Sequence, residues 1–491
     1  MGQLEATSVA FRDLREFISF VEQRGQLNRV RTGVSPELEI TEITDRVVKS
    51  GGPALFFEKV TGYSMPVVTN LLGTEQRMAW ALGVDTLDGL GDKVRGLLKF
   101  VQEPLPSSMM DKLKVLGALA EISSYAPKAV SKGVSQEVVL TDDASLKRLP
   151  VLKCWPLDGG PFITLPLVIT KDPQTGKRNV GMYRMQVYDA RTAGLHWHAH
   201  KDAAVHYRHT EEKKQPMPVA VALGTDPATI YAATAPLPLG MDELFFSGFL
   251  RGSGVEMVKA KTVDLEVPAN AEIILEGYVD PDERRLEGPF GDHTGYYSLA
   301  DEYPVFHLTA ITHRTNPIYP ATIVGRPPME DAYIGKATER LALPILQLAL
   351  PEVVDMNLPV EGAFHNLAIV SIKKRYPGQP QKVMCSIWGM MPLALTKTII
   401  IVDEHVDVHN TSEVVWRVTT SIDPRRDMMF VDGPLDALDH ASPRPLFGSK
   451  VGIDATTKGP MDGYPREWPP DIVMSDEIKE MVSHKWGQYG L

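Results

Sequence analysis

Cysteine is scarce: 491 residues carry only Cys154 and Cys385. That excludes a disulfide framework and fits a reducing compartment. Positive charge is not in surplus either, with 51 Lys and Arg against 62 Asp and Glu and a formal net charge of -11. No basic stripe of the kind that binds nucleic acid is found. No basic segment followed by an apolar run opens the chain, so no secretory leader is expected. Gly2 lacks the Ser or Thr four residues on that myristoylation requires. Long apolar runs are missing as well. The best candidate, Leu341 to Val354, is broken by Pro344, Pro351 and Glu352, far short of the ~20 apolar residues of a membrane span. The expectation is a soluble, cytoplasmic protein, which would meet any lipid-tailed substrate at a membrane surface. Neither G-x-G-x-x-G after a strand nor G-x-x-x-x-G-K-[ST] occurs, so a Rossmann or P-loop nucleotide site has no support.

At ~150 residues per domain, the length implies two to four domains. Phe11, Leu14, Phe17, Ile18 and Val21 lie on one helical face that Gly25 ends. A second helical pattern runs from Ile40 to Val48, followed by strand-like runs Ala54 to Phe57 and Pro66 to Thr69. Thr86 to Gly133 reads as mostly helical, broken at Pro104-Leu105-Pro106. From about Val138 to Thr315 the texture becomes short β-branched runs between Gly, Pro, Asn and Asp. Examples are Leu167 to Ile169, Val219 to Leu223, Thr262 to Val267, Ile273 to Leu275 and Val305 to Ile311. Such spacing predicts an open or split barrel, interrupted by one helix from about Asp242 to Arg251. Beyond Pro320, helix and strand alternate again: a helix over Lys336 to Leu348, strands over Leu367 to Ile372 and Thr398 to Val402, and a helix over Ser412 to Thr420. Ser475 to Gln488 is a mixed-charge amphipathic helix that needs a dock, and a neighbouring subunit would supply one.

Four local patterns carry chemistry. In Leu286-Glu287-Gly288-Pro289-Phe290-Gly291-Asp292-His293-Thr294-Gly295-Tyr296-Tyr297, two acids five residues apart sit in a stretch that Gly and Pro keep from being helical. A rigid loop can aim both carboxyl groups at one point, and a buried carboxyl can serve as a general acid. By spacing alone, a turn with solvated acids is the commoner case. In Asn179-Val180-Gly181-Met182-Tyr183-Arg184-Met185-Gln186, a strand Arg can clamp a carboxylate through its planar fork; a surface ion pair is the bland alternative. His196, His198 and His200 would share one face of a strand and offer imidazoles to a metal, or simply form a polar face. Glu243 on its helix and Lys397 before an apolar strand read by default as solvated.

Taken together and in this order, the segments resemble the UbiD family of reversible decarboxylases. Asn179 to Gln186 resembles its N-x-G-[MI]-Y-R element, Trp197 to His200 its metal-histidine strand, and Glu243 to Gly252 its helix that opens on Glu and ends in [LM]-R-G. Asp264 to Pro268 and Ile274 to Gly277 resemble the run leading to the acidic loop, and Glu287 to Tyr297 resembles the loop itself. Lys397 and Gly448 to Thr456 continue the likeness, which extends from Phe11 to about Lys458.

The resemblance implies mixed α/β and β architecture: an N-terminal α/β domain over residues 1–135, a split β-barrel binding prenylated FMN over 136–318, a C-terminal α/β oligomerisation domain over 319–460, and a tail helix over 461–491. It implies that Asn179, His200 and Glu243 hold a divalent metal, Mn2+ or Mg2+, that bridges to the cofactor phosphate, with K+ nearby. Gly181, Met182, Tyr183, Arg184, Ala199, Pro236 and Lys397 would complete the cofactor site. Hard oxygen and imidazole donors suit such a cation. Arg184, Glu287 and Asp292 match the catalytic trio: Arg184 orients the substrate carboxylate, Asp292 protonates the carbon after CO2 leaves, and Glu287 tunes the network's charge. Asp292 stands where relatives acting on cinnamic-type acids carry Glu, so the chain leans towards hydroxybenzoates, including polyprenylated quinone precursors of ubiquinone biosynthesis. A flavin prenyltransferase would supply the cofactor, and the assembly would be a homo-oligomer, dimer or hexamer. Two rivals stand beside this reading: a metal-dependent hydrolase built on His196, His198 and His200, and a non-catalytic flavin-binding subunit of a carboxylase complex.

Overall fold

Leu14, Phe17, Ile18 and Val21 form the buried stripe of the first helix, Leu14–Gln23. Its N-cap Asp13 accepts from the amide of Glu16 at 2.9 Å, and Gly25 follows the helix at φ +67°, the left-handed conformation glycine adopts without steric penalty. The computed structural model describes residues 11–102, 117–118, 120–197, 202–237, 240–391 and 393–490. Helix Glu39–Lys49 and strands Leu27–Val30, Ala54–Phe57 and Val67–Thr69 build a small N-terminal layer, closed on its far edge by Tyr319–Pro320.

The centre is a nine-stranded curled sheet. Its main path runs Phe162–Ile163, Met185–Val187, Thr192–Leu195, Asp301–His313, Ile273–Glu287, Met217–Leu223, Leu167–Lys171, Arg178–Met182, and among the described residues its two ends are not paired with each other, which leaves it open. Both faces are buried: Ala220 and Ala222 pack into one core, while Val219, Val221 and Leu223 pack into another, as the two-residue period of a strand requires. The long strand Ile273–Glu287 slips register against Asp301–His313 between Val279 and Arg284. Bulges of this kind bend a strand and sharpen its twist, and this one carries the strand's end to the acidic loop.

A five-stranded sheet lies in the C-terminal part, with order Val353–Asn357, Leu367–Ile372, Thr398–Asp403, Phe447–Asp454, Met428–Pro434. The mixed α/β architecture with a central split barrel is therefore present. Three local expectations need correction. Helices Asp202–Lys213 and Pro227–Ala232 join Glu243–Arg251 within the barrel region, so one interrupting helix was too few. Strand structure in the Thr262–Val267 run begins only at Glu266. The helix expected at Lys336 starts at Glu330 and runs to Ala349, with Pro344 inside it. The tail helix Asp476–Lys485 buries no residue. No helix among the described residues is long and apolar enough to cross a membrane.

Candidate active site

Arg184 lies between strands Arg178–Met182 and Met185–Val187, where the open sheet's two ends approach. Its Nε and Nη2 donate to Glu287 at 2.8 and 3.0 Å, a two-bond fork that fixes both groups. Nη1 donates to Asp292 through a short bond, Nη2 reaches Ser298 Oγ at 3.0 Å, and the guanidinium stands 4.6 Å from the centre of the Phe290 ring. Glu287 is fully buried and Asp292 is 8% exposed. His196 Nδ1 lies 3.0 Å from both Glu287 and the guanidinium. Arginine only donates and a carboxylate only accepts, so Nδ1 serves one of them; a proton there gives Glu287 a third charge-assisted bond.

The loop that carries the two acids is anchored from outside. Glu287 ends its strand opposite Asp301. The amide of Gly288 donates to Gln186 Oε1 at 2.7 Å, and Gly159 N donates to Pro289 O at 2.8 Å. Asp158 accepts from Gly291 N at 2.8 Å with one oxygen and from Cys154 and Trp155 with the other. A Cβ on Gly291 would stand 2.2 Å from Trp155 Cδ1, so only glycine lets the loop pass the indole.

Electrostatics in the trio follow from burial against charge. Burial pushes Asp292 up, but the bonds from His293 and the Arg184 charge outweigh it and hold the carboxyl well below its usual range. Burial likewise opposes ionisation of Glu287, and His196 and Arg184 overcome it. Asp331, partly buried beside His293 and Asp292, is pushed up to about 7 by desolvation first and by Asp292 in smaller part.

Beside the trio lies a cavity of about 580 Å³, the size of a cofactor or drug-sized ligand site. Asn179, Gly181, Met182, Tyr183, Pro236 and Glu243 line it together. Arg184, Glu287 and Asp292 are set one layer behind this wall, next to the lining residues Tyr183 and His293. Glu243 opens its helix: Asp242 caps the first turn by accepting from Leu244 and Phe245 and takes a 2.6 Å bond from Arg178. That pins the helix start to the strand end, where Glu243 accepts from Val180 N at 3.0 Å. Asn179 and Glu243 also border a second, charged cleft of about 700 Å³, so they stand where the two spaces meet. Lys397 is not on the cavity wall; its Nζ pairs with Asp439 at 2.7 Å. Ala199 and His200 lie outside the described residues, as does His198. Sequence reading passed over His365, Asp331 and Asp436, which line the cavity from the C-terminal part of the chain, and it saw His293 only as a neighbour of Asp292.

Three family models match the sequence: the 3-octaprenyl-4-hydroxybenzoate carboxy-lyase N-terminal domain over residues 18–94, its Rift-related domain over 128–327 and its C-terminal domain over 332–455. An uncharacterised protein of Archaeoglobus fulgidus is 55% identical over 482 residues, 98% of this chain and 99% of the relative. The vanillic acid decarboxylase of Sedimentibacter hydroxybenzoicus in closed form superposes with a TM-score of 0.83 at 32% identity, covering 97% of this chain and 99% of that one. The UbiD-class enzyme HmfF of Pelotomaculum thermopropionicum in complex with FMN gives 0.81 at 31% identity, covering 95% and 98%. An evolved dimeric form of HmfF in complex with prFMN gives 0.77 at 30%, covering 94% and 97%. With matches to all three of its domains and near-complete coverage by relatives above 30% identity, this chain belongs to the UbiD family of carboxy-lyases.

Proposed function

We propose that the protein is a reversible, non-oxidative decarboxylase of a hydroxylated aromatic acid that uses prenylated FMN. The observation that carries this reading is one guanidinium held between two carboxylates, Glu287 and Asp292, one layer behind the wall of a ligand-sized cavity. A vanillic acid decarboxylase and an FMN- and prFMN-binding enzyme among the similar structures support it.

The residues fit the cofactor. Gly181 keeps the wall low, since a Cβ there would stand 2.3 Å from the Tyr183 ring. Asn179 and Glu243 offer hard oxygen donors at the junction of cavity and cleft, and with His200 they would hold Mn2+ or Mg2+ against a phosphate, with K+ close by. When bound, the modified flavin supplies an electron sink for the pair left on carbon as CO2 departs. The chain's own residues do the rest. Arg184 orients the substrate carboxylate. Glu287 holds Arg184 in place through the two-bond fork. Asp292 passes a proton to the carbon. Burial of the trio excludes water.

A flavin prenyltransferase would supply the cofactor, in the reducing cytoplasm that two free cysteines suit. We place the cofactor unit at residues 136–318 and the assembly unit at 319–460. The exposed tail helix points to a homo-oligomer. Co-expression with a flavin prenyltransferase, followed by mass and absorbance of the bound flavin and a screen of CO2 release from vanillate, hydroxybenzoates and a polyprenylated analogue, tests the reading. Bound prenylated FMN with CO2 release supports it. Activity without any flavin would favour a hydrolase instead.

A further inference from the structure

A line of hydrogen bonds leaves the trio and runs into the C-terminal part of the chain. Asp292 Oδ1 accepts from the His293 amide at 2.8 Å and faces His293 Nδ1 at 3.0 Å. On the far side of that ring, Nε2 stands 2.8 Å from Nε2 of His365. His365 lies between the Val360–Gly362 turn and strand Leu367–Ile372, and Phe364 packs 5.2 Å from the His293 ring. Two ring nitrogens this close cannot both present lone pairs or both present protons. One proton lies between them.

A metal is the rival occupant, because ligand atoms of His293, His365 and Asp436 all fall within 4.8 Å of one another. Geometry decides against it. Two nitrogens on a tetrahedral ion at 2.0–2.1 Å stand roughly 3.3 Å apart, whereas 2.8 Å is the length of a direct N–H···N bond.

Charges around the pair favour an extra proton on it. Asp292 faces it from the acidic loop and Asp436 and Asp439 from the segment after strand Met428–Pro434, while Asp331, its own carboxyl pushed up to about 7, adds only part of a charge from the start of helix Glu330–Ala349. Against these stand Arg184, bonded to Asp292, and Lys397, bonded to Asp439. Within the pair, burial disfavours charge on both rings. Asp292 overcomes this at His293 and raises it, while His365 is held down to about 4 by burial and by His293.

Asp292 itself is held as a carboxylate by Arg184 and His293, the wrong resting state for an acid. We propose that the His293–His365 pair stores the proton destined for the product carbon, and that Asp292 is the conduit rather than the reservoir. This rests on the decarboxylase reading above. The C–C bond to the carboxylate breaks and CO2 leaves without its bonding pair. The proton on His293 Nδ1 passes to Asp292, and from Asp292 to that carbon, forming the new C–H bond. Asp292 ends as it began, a carboxylate. The pair falls by one positive charge, with His293 neutral and its remaining proton on Nε2, and a solvent proton refills it between turnovers. The bridge from the acidic loop to His365 ties this store to contact between the barrel and the C-terminal sheet.

Histidine nitrogen NMR on the purified full chain, assigned with His293→Gln and His365→Gln, reads the pair directly. His293 is expected to titrate above the ordinary histidine range, and Asp292→Asn is expected to lower its midpoint by a unit or more, a tenfold shift. In reconstituted enzyme, turnover is expected to fall as pH rises through the His293 midpoint. His293→Gln is expected to lose about 100-fold or more in kcat, within the range of general acid catalysis, and to lose that alkaline limb. His365→Gln is expected to shift the limb while keeping KM near normal. A neutral His293 at pH 6, a Zn2+-induced shift of both rings at micromolar metal, or a His293→Gln enzyme with unchanged kcat and pH profile would overturn the relay while CO2 release by the native enzyme left the decarboxylase reading intact. A native holoenzyme that releases no CO2 from any aromatic acid sinks both.

Discussion

Arg184 is a buried cation whose partners are buried anions, and its energetics are those of a matched set rather than of a favourable surplus. Taking one member away leaves the others desolvated and unpaired. Arg184→Ala is expected to destabilise the fold by about 3–5 kcal/mol, read from urea midpoints, and adding Glu287→Gln is expected to recover more than 1 kcal/mol of that loss. The acids also set a pH dependence. Both Glu287 and Asp292 sit below their ordinary values of 4.5 and 3.8. Their stabilisation is therefore full above about pH 4.5 and drains as pH falls towards the lowered values. Urea midpoints at pH 3 and 6 should show that decline, and the Glu287→Gln protein should show a shallower one. At this scale the sequence spoke where function is local: Arg184, Glu287 and Asp292 were visible in two short motifs. His365 was not, because it lies 72 residues beyond its partner and in no pattern of its own. His196 was visible as one of three alternating histidines, yet only folding shows that its ring serves Glu287.

Elements explain why the acidic loop holds its shape. Segment Cys154–Gly160 runs alongside it, with Asp158 and Gly159 each bonded to its backbone. A Cβ on Gly159 would meet Gly288 O at 2.2 Å, so Gly159→Ala must push backbone against backbone. The expected cost is about 1–3 kcal/mol, with turnover falling at least tenfold as the acids move off Arg184; melting curves and kcat measured together check it. The long strand Ile273–Glu287 was hard to read because Asp280-Pro281-Asp282 looks like a turn; the structure absorbs it as a bulge within one strand. Helix Asp202–Lys213 escaped for a different reason. It buries Ala203, Ala204 and Tyr207 but carries charged residues round much of the rest, so its apolar stripe is too thin to register. Helices with full apolar faces, such as Leu14–Gln23, were legible to within a few residues.

The whole molecule brings the barrel, its acidic loop and the C-terminal sheet around one cavity, and it leaves a tail outside. Ile472, Val473, Met474, Met481, Trp486 and Tyr489 are all exposed there, apolar side chains that a neighbouring subunit would cover. Truncation after Asp471 is expected to lower the oligomeric state by light scattering while leaving the monomer folded, because Asp471 keeps its bond to Arg417. Chelation of divalent metal from reconstituted protein is expected to release flavin, seen as lost absorbance after gel filtration, if Asn179 and Glu243 hold a cation that the flavin phosphate needs, as proposed. Texture along the chain announced the three-part architecture, whereas the meeting of its parts at His293 and His365 depends on tertiary packing that no local pattern encodes. The most direct measurement is a crystal structure of the reconstituted protein with an unreactive aromatic acid. The carboxylate is expected against Arg184 between Glu287 and Asp292, with the flavin phosphate at Asn179 and Glu243. An acid seated in the charged outer cleft, with the trio untouched, would contradict the proposal.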